Sequence, residues 1–272
     1  MPTLTRIRIH PIKSCRGYDC ESAELDHLGL VNDRRFQVIT PDGKPFTQRS
    51  HGILAQVSAH ISANELQVRA PAHGQFSVPL NRPQPSQHET EVWSATGLIA
   101  DGCGKIAAEF FSSLLRESSL LVSTGSAFDR PVRAHPHDQV GFADAFPLLI
   151  ISEASLAGLN QRISGHDSSV APIAMERFRP NLVVNGCSEF AEDTWRRLRI
   201  DDCDFESSGP CERCVMTTLD PQTGDKTGPE PLRTLATYRR IADGSGVGFG
   251  QNLVNTSKSG RIEVGSSIDV ID

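Results

Sequence analysis

No apolar run in this 272-residue chain approaches the roughly 18 residues that a membrane-spanning helix requires. Met1-Pro2-Thr3-Leu4-Thr5-Arg6 lacks the apolar core of a secretory signal, so neither a membrane span nor export is expected. There is also no long run of Lys or Arg. The formal net charge of −6 and pI near 5.8 argue against nucleic acid as the main partner, while leaving room for a local basic pocket. Internal repeats and low-complexity tracts are absent. The seven cysteines, at 15, 20, 103, 187, 203, 211 and 214, are odd in number and widely spread. That pattern argues against a disulfide framework and reads as reduced thiols, most of them inert packing residues, in a reducing, cytoplasmic compartment.

The chain is long enough for two modest domains or one large β-rich one. Leu4 to Ile9 alternates apolar and basic residues as a half-buried strand that ends at His10-Pro11. Runs on either side of Pro41-Asp42-Gly43-Lys44 predict a hairpin, and short alternating runs between 53 and 80 predict an antiparallel β module. Residues 81–90 read as an exposed loop before a strand at Glu91-Val92-Trp93, with Trp93 a core anchor. Ile106 to Leu115 places its apolar residues on one helical face, and Leu120-Leu121-Val122 returns to strand, so a domain boundary is expected nearby. Phe128 to Asp138, with two prolines and two histidines, reads as a long mobile loop.

Phe146 to Ile151 is a continuous apolar run of the kind found in a fully buried strand, and Ser152 is placed to cap a helix over 153–160. Further strands are expected at 182–184, 195–200 and 203–208, a helix at 232–241, a Gly-rich turn into a strand at 246–252, and closing strands at 261–265 and 268–271. The fold class is therefore mostly β with flanking helices, an α+β arrangement.

One stretch carries the strongest chemical signal. Gly209-Pro210-Cys211-Glu212-Arg213-Cys214 sets two thiols three positions apart beside an arginine, followed by a short β-prone segment and a turn. Such a pair serves as a redox couple, as half of a zinc site, or as one metal-binding thiolate with a lesser neighbour, and spacing alone leaves all three open. Pro11-Ile12-Lys13-Ser14-Cys15-Arg16-Gly17 carries two cations and a hydroxyl in a turn-prone context. This suits either an anion cradle or a solvated basic turn. A zinc site joining Cys211 and Cys214 to Cys187 and Cys203 would have irregular spacing, and His135-Pro136-His137 is a weak metal motif.

Five separated stretches, 11–17, Asp33-Arg34-Arg35-Phe36, Phe178-Arg179-Pro180-Asn181, 211–224 and Phe249-Gly250-Gln251-Asn252, together resemble MOSC-domain proteins with the MOSC N-terminal β-barrel. That group includes the mitochondrial amidoxime-reducing components and the C-terminal region of molybdenum cofactor sulfurases. The resemblance implies a MOSC-type β-barrel over 119–272 joined to a smaller β-rich N-terminal domain over 1–118. It further implies molybdenum held on a pyranopterin (molybdopterin), with Cys214 as the thiolate ligand and catalytic residue. Lys13, Ser14, Arg35 and Arg179 would hold the anionic pterin phosphate and dithiolene. Asp144, Ala145, Phe146, Glu212, Arg213 and Asn252 would lie at further cofactor contacts, with Ala145 and Phe146 departing from the small hydroxyl residues of the mitochondrial proteins. Arg213 would help to keep the Cys214 sulfur deprotonated.

The implied activity is reduction of N-hydroxylated compounds such as hydroxylamines and amidoximes. No cluster-spaced cysteines follow Cys214, so electrons are expected from a separate flavoprotein, ferredoxin or cytochrome b5-type protein. A second implied role is sulfur transfer or cofactor sulfuration through a persulfide on Cys211 or Cys214, and a third is cofactor carriage and delivery. Pyridoxal phosphate binding is attached to the family, but no lysine here stands in a recognisable Schiff-base context.

Overall fold

The computed structural model describes residues 1–272 apart from 243, 245 and 272. β1 (Thr3–Ile9) buries Leu4, Ile7 and Ile9, and a bulge between Leu4 and Arg6 brings Leu4 and Ile7, three apart, to one face. β2 (Tyr18–Cys20), β3 (Ser22–Asp26), β4 (Gly29–Leu30) and β5 (Phe36–Ile39) follow the basic loop. Then come β6 (Ser58–Ser62), β7 (Glu65–Ala70), β8 (Gly74–Pro79), β9 (Gln87–Val92), β10 (Ala95–Gly102), α1 (Lys105–Leu115) and β11 (Leu120–Ser123). The remaining chain forms β12 (Pro131–Val132), β13 (His135–Gln139), β14 (Leu148–Ser152), α2 (Glu153–His166), β15 (Leu182–Asn185), β16 (Arg197–Ile200), β17 (Cys203–Arg213), α3 (Leu232–Tyr238), β18 (Val247–Asn255), β19 (Gly260–Glu263) and β20 (Ile268–Ile271).

Eight strands in the order β2-β1-β15-β14-β18-β17-β16-β20 make one strongly curved sheet. Its ends approach each other through the Thr3–Ser267 bridge and the bond from Ile268 N–H to Pro2 O, 2.9 Å, which gives the barrel character. β14 explains why the sequence shows an unbroken apolar run there. Leu148 and Ile150 point into the barrel core with Leu182, Leu198 and Phe205, while Leu149 and Ile151 point outwards to Phe178, Phe249 and α2. Ser152 caps α2 by accepting from Ser155 N–H at 3.0 Å.

A smaller module lies between the first strands and the barrel. The sheets β5-β11-β10-β9 and β6-β7-β8 pack with α1 around Leu54, Val68, Phe76 and Phe111. Burying each such side chain stabilises by about 1.5–3 kcal/mol. No helix among the described residues is long and apolar enough to cross a membrane.

Several local expectations are corrected. β9 begins at Gln87, inside the segment expected as a loop, because only Thr90 and Val92 of that strand are fully buried and its apolar pattern is faint. Trp93 is 58% exposed rather than a core anchor, since it sits in the left-handed region (φ 55°) at the β9–β10 turn. Residues 131–139 form the β12–β13 hairpin, not a mobile loop. The hairpin around Asp42-Gly43 has one bridge, Ile39–Pro45, and β5 pairs with β11 instead. Val215–Thr218 is a 3-10 turn where strand was expected, and β17 runs on through Gly209-Pro210 by means of bulges against β18. α3 stops at Tyr238, and the Gly-rich segment is strand from Val247 onwards.

Candidate functional site

A cavity of about 1080 Å³ opens where the smaller module meets the barrel. Lys13, Ser14, Asp144, Ala145, Phe146, Arg179, Glu212, Arg213, Cys214 and Asn252 all line it, so the fold brings together residues from across the chain. Eight Lys or Arg side chains and two carboxylates line the same space, in a chain whose overall charge is −6.

The 11–17 loop is held by backbone bonds on both sides. Lys13 N–H donates to Phe36 O at 2.8 Å, Cys15 N–H to Ile12 O at 3.1 Å, and Ser14 is left-handed with φ 65°. Lys13 Nζ then donates to Phe142 O at 2.8 Å and pairs with the Asp144 carboxylate. Burial pushes the Lys13 pKa down, and Asp144 partly offsets this. For Asp144 itself burial pushes upward, but Lys13 and then Arg49 hold the carboxyl well below the usual carboxylate range. Arg179 ends the 3-10 turn Met175–Phe178 in the left-handed conformation and donates to Cys15 O at 2.8 Å. Burial and the Arg34 guanidinium lower its pKa to about 10, so it remains a cation at neutral pH. Asn252 on β18 donates to Pro210 O at 3.3 Å, tying that strand to the cysteine segment.

The two thiols have different environments, and the strand geometry explains why. Cys211 and Arg213 lie two apart on β17 and share a face, so Arg213 Nη1 donates to Cys211 Sγ at 2.8 Å and Nη2 to Phe178 O at 2.6 Å. Cys214, just past the strand end, faces the other way and receives Arg49 Nη2 at 3.2 Å. The guanidinium at the Cys214 sulfur is therefore that of Arg49, not the expected Arg213.

Arg35 is the one expected site residue that does not line the cavity. Its guanidinium donates to Asp26 Oδ1 at 2.6 Å and Leu30 O at 3.1 Å, because the chain turns between the two arginines. Arg34, left-handed at φ 46°, lines the cavity instead, bound to Asp33, Asn181 and Arg179 O. Ser14, Arg34, Trp93 and Arg179 are thus four non-glycine residues with positive φ around one cavity, a concentration of backbone strain typical of functional sites.

Arg49, Arg130 and Trp93 were not singled out as site residues from sequence. Arg130 donates to Gly141 O, Ala143 O and Asp144 O at 2.7, 2.5 and 2.7 Å, so one buried fork fixes the loop that presents Asp144. The zinc alternative loses its geometry: Cys203 is in the barrel core with Cys187 packed against it, whereas Cys211 packs on the opposite face of the sheet. Among the described residues no three His, Cys, Asp or Glu side chains converge as a metal site.

Residues 1–118 match the MOSC N-terminal beta barrel domain family and residues 137–269 the MOSC domain family. The chain is 33% identical over 286 residues to the mitochondrial amidoxime-reducing component 1 of Homo sapiens, covering 98% of this chain and 82% of that protein. It is 36% identical over 254 residues to the mitochondrial amidoxime reducing component 2 of Bos taurus, covering 87% and 72% respectively. Against the component 2 of Rattus norvegicus the identity is 34% over 256 residues, again covering 87% and 72%. Matched at both ends by these families and similar over most of its length to these relatives, the chain belongs to the MOSC-domain proteins with a MOSC N-terminal β-barrel, the family of the amidoxime-reducing components.

Proposed function

We propose that this chain is a molybdenum-cofactor oxidoreductase that reduces N-hydroxylated compounds, hydroxylamines and amidoximes, with electrons from a separate reductase. The observation that carries this reading is a soft thiol pair, Cys211 and Cys214, on a cavity lined by eight cations and two carboxylates, and Cys214 is the one we take as the ligand. A thiolate suits a molybdenum centre, and the cations suit an anionic pyranopterin phosphate and dithiolene. Arg213 Nε is buried with no hydrogen-bond partner, an orphaned donor at the wall of this cavity.

Cys214 would hold the metal, and Lys13, Ser14, Arg34 and Arg179 the phosphate side, with Asp144, Ala145, Phe146, Glu212, Arg213 and Asn252 completing the lining. The group supplies two-electron redox chemistry and oxygen-atom acceptance when bound. The N–O bond of the substrate breaks, two electrons and two protons enter, and water leaves. The chain's own residues orient and neutralise. Arg130 fixes the 141–144 loop, Lys13 and Asp144 hold one another charged, and the Arg179 and Arg34 guanidinium groups stand at the loop. The electron donor is of flavoprotein, ferredoxin or cytochrome b5 type. The odd, widely spread set of seven cysteines suits a reducing compartment, the cytoplasm in our reading, and the named relatives are mitochondrial.

The test is metal analysis of protein made in a cofactor-competent host, with reduction of a hydroxylamine or amidoxime by an artificial donor. Molybdenum near one per chain is expected, and zinc in its place sinks the reading. One observation favours a second role: Arg213 Nη1 lies 2.8 Å from Cys211 Sγ, so a half-buried thiol beside a cation is available for a persulfide. Cyanide-releasable sulfur that disappears on Cys211→Ser would support sulfur transfer.

A further inference from the structure

Most arginines around the cavity are firmly held, but Arg49, beside the cysteine segment, and the exposed Arg133 are not. Arg34, Arg130, Arg179 and Arg213 each donate to a backbone carbonyl at 2.9 Å or less. Arg49 donates to no carbonyl or hydroxyl among the described residues. Its Nη2 lies 3.2 Å from Cys214 Sγ and 3.6 Å from Asp144 Oδ2, beyond hydrogen-bond length for the carboxylate, and its guanidinium carbon sits 4.5 Å over the Trp93 ring. The backbone beneath it is fixed: Ser50 N–H donates to Thr47 O at 3.1 Å, and His51 N–H to the same oxygen at 2.8 Å. The long side chain can therefore swing away while the turn stays in place.

What Arg49 fills has a definite chemistry. The Trp93 ring offers an aromatic face, 58% exposed and strained into position at φ 55°, and Asp144 Oδ2 offers negative charge next to the Cys214 sulfur. A flat, delocalised N–C–N group suits both features at once. We propose that Arg49 is a resident stand-in for the substrate, and that Trp93 and Asp144 form a specificity subsite in which the flat N–C–N head of an amidoxime or amidine replaces the guanidinium. This rests on the reductase reading and narrows it. Substrates with a planar amidine-type head are favoured over alkyl hydroxylamines, whose tetrahedral nitrogen gives no face to stack.

The experiment is calorimetric titration of the full chain, with and without molybdenum cofactor loaded, using benzamidinium as the probe and benzylammonium as the control of equal charge without the flat head. Benzamidinium should bind more tightly than benzylammonium. An occupant that fills the subsite about nine-tenths of the time lowers apparent affinity about tenfold, so Arg49→Ala should bind benzamidinium about tenfold tighter. Arg49→Lys, which keeps charge and loses the planar fork, should also bind more tightly. Trp93→Leu should weaken binding about fivefold, the contribution of one cation–π face. Unchanged or weaker binding by folded Arg49→Ala, or equal affinity for the two probes, overturns the proposal. Because the titration needs neither metal nor turnover, protein that contains molybdenum and reduces hydroxylamines yet shows no Arg49 effect refutes the subsite alone. Protein that binds benzamidinium in the expected pattern but contains no molybdenum refutes the reductase reading and leaves the subsite standing.

Discussion

Arg49 Nη2 lies 3.2 Å from Cys214 Sγ, although the two residues are 165 positions apart, while the sequence neighbour Arg213 turns its guanidinium to Cys211. Strand pleat accounts for the exchange. Residues two apart on β17 share a face, so Arg213 is committed to Cys211 and Cys214 is left for a cation from the smaller module. A C-x-x-C pair that spans a strand end therefore holds two thiols with separate surroundings.

Cys214→Ser is the direct consequence. On the reductase reading, serine keeps the size and removes the soft donor, so the cofactor-free variant should have the thermal midpoint of cofactor-free wild type, and made in a cofactor-competent host it should lose molybdenum and N-reductive turnover. The loss should exceed the roughly 10–100-fold that changes outside the ligand set cause. Full molybdenum content in this variant, read by elemental analysis, would take Cys214 out of the mechanism.

The Lys13–Asp144 pair should appear in the acid limb of stability. Burial raises the Asp144 carboxyl, but Lys13 and Arg49 more than offset it, so the folded pKa lies well below the unfolded value near 3.9. A depressed carboxyl contributes stability that is complete above the unfolded value and is lost as pH falls towards the folded one. Between about pH 4 and pH 2 the wild type should therefore lose about 1 kcal/mol more than Asp144→Asn, the full linkage being reduced by screening because this side chain is 54% exposed. Urea midpoints measured across that range check it, and parallel curves for the two proteins would contradict it.

The parts of the molecule legible from sequence are those with local, repeated patterns. The apolar run of β14, the Ser152 cap and the one-sided apolar face of α1 each arise within a few residues, and each is where the pattern put it. β9 and the β12–β13 hairpin escaped because polar residues occupy most of their positions and pairing is satisfied by backbone alone. For Trp93, hydrophobicity argued for the core, whereas the left-handed turn it occupies put it on the surface. Arg49 and Arg130 carry no sequence mark that separates them from other arginines. Their meaning comes from convergence of distant segments, which periodicity does not encode.

Gly250 tests how closely β18 must approach β14 beside Asn252. Its φ is +78°, and a Cβ there would lie 2.6 Å from Ile151 Cγ1 and 2.8 Å from Ile150 O. Left-handed strain of about 1–3 kcal/mol and overpacking of similar size should together make Gly250→Ala about 2–6 kcal/mol less stable. A urea midpoint equal to that of the wild type would show that the strand pair yields without cost.

Thiol reactivity separates the cysteines that pack from those available to chemistry. Burial pushes Cys15 and Cys103 up to about 12 and Cys20 up to about 11. Since the thiolate is the nucleophile, a thiol at about 12 is ionised at neutral pH in roughly one molecule in 10⁵. Cys211 and Cys214 are half-buried, line the open cavity and each have a guanidinium at the sulfur. Cofactor-free folded chain exposed to iodoacetamide should therefore be carboxamidomethylated at Cys211 and Cys214 first, with Cys15 and Cys103 slower by about a thousandfold or more until urea unfolds the protein. Time-resolved peptide mass spectrometry reads each site separately. Labelling of Cys15 at the rate of Cys214 in folded protein would mean that the 11–17 loop opens readily, and a loop that opens so freely is a poor cradle for an anion.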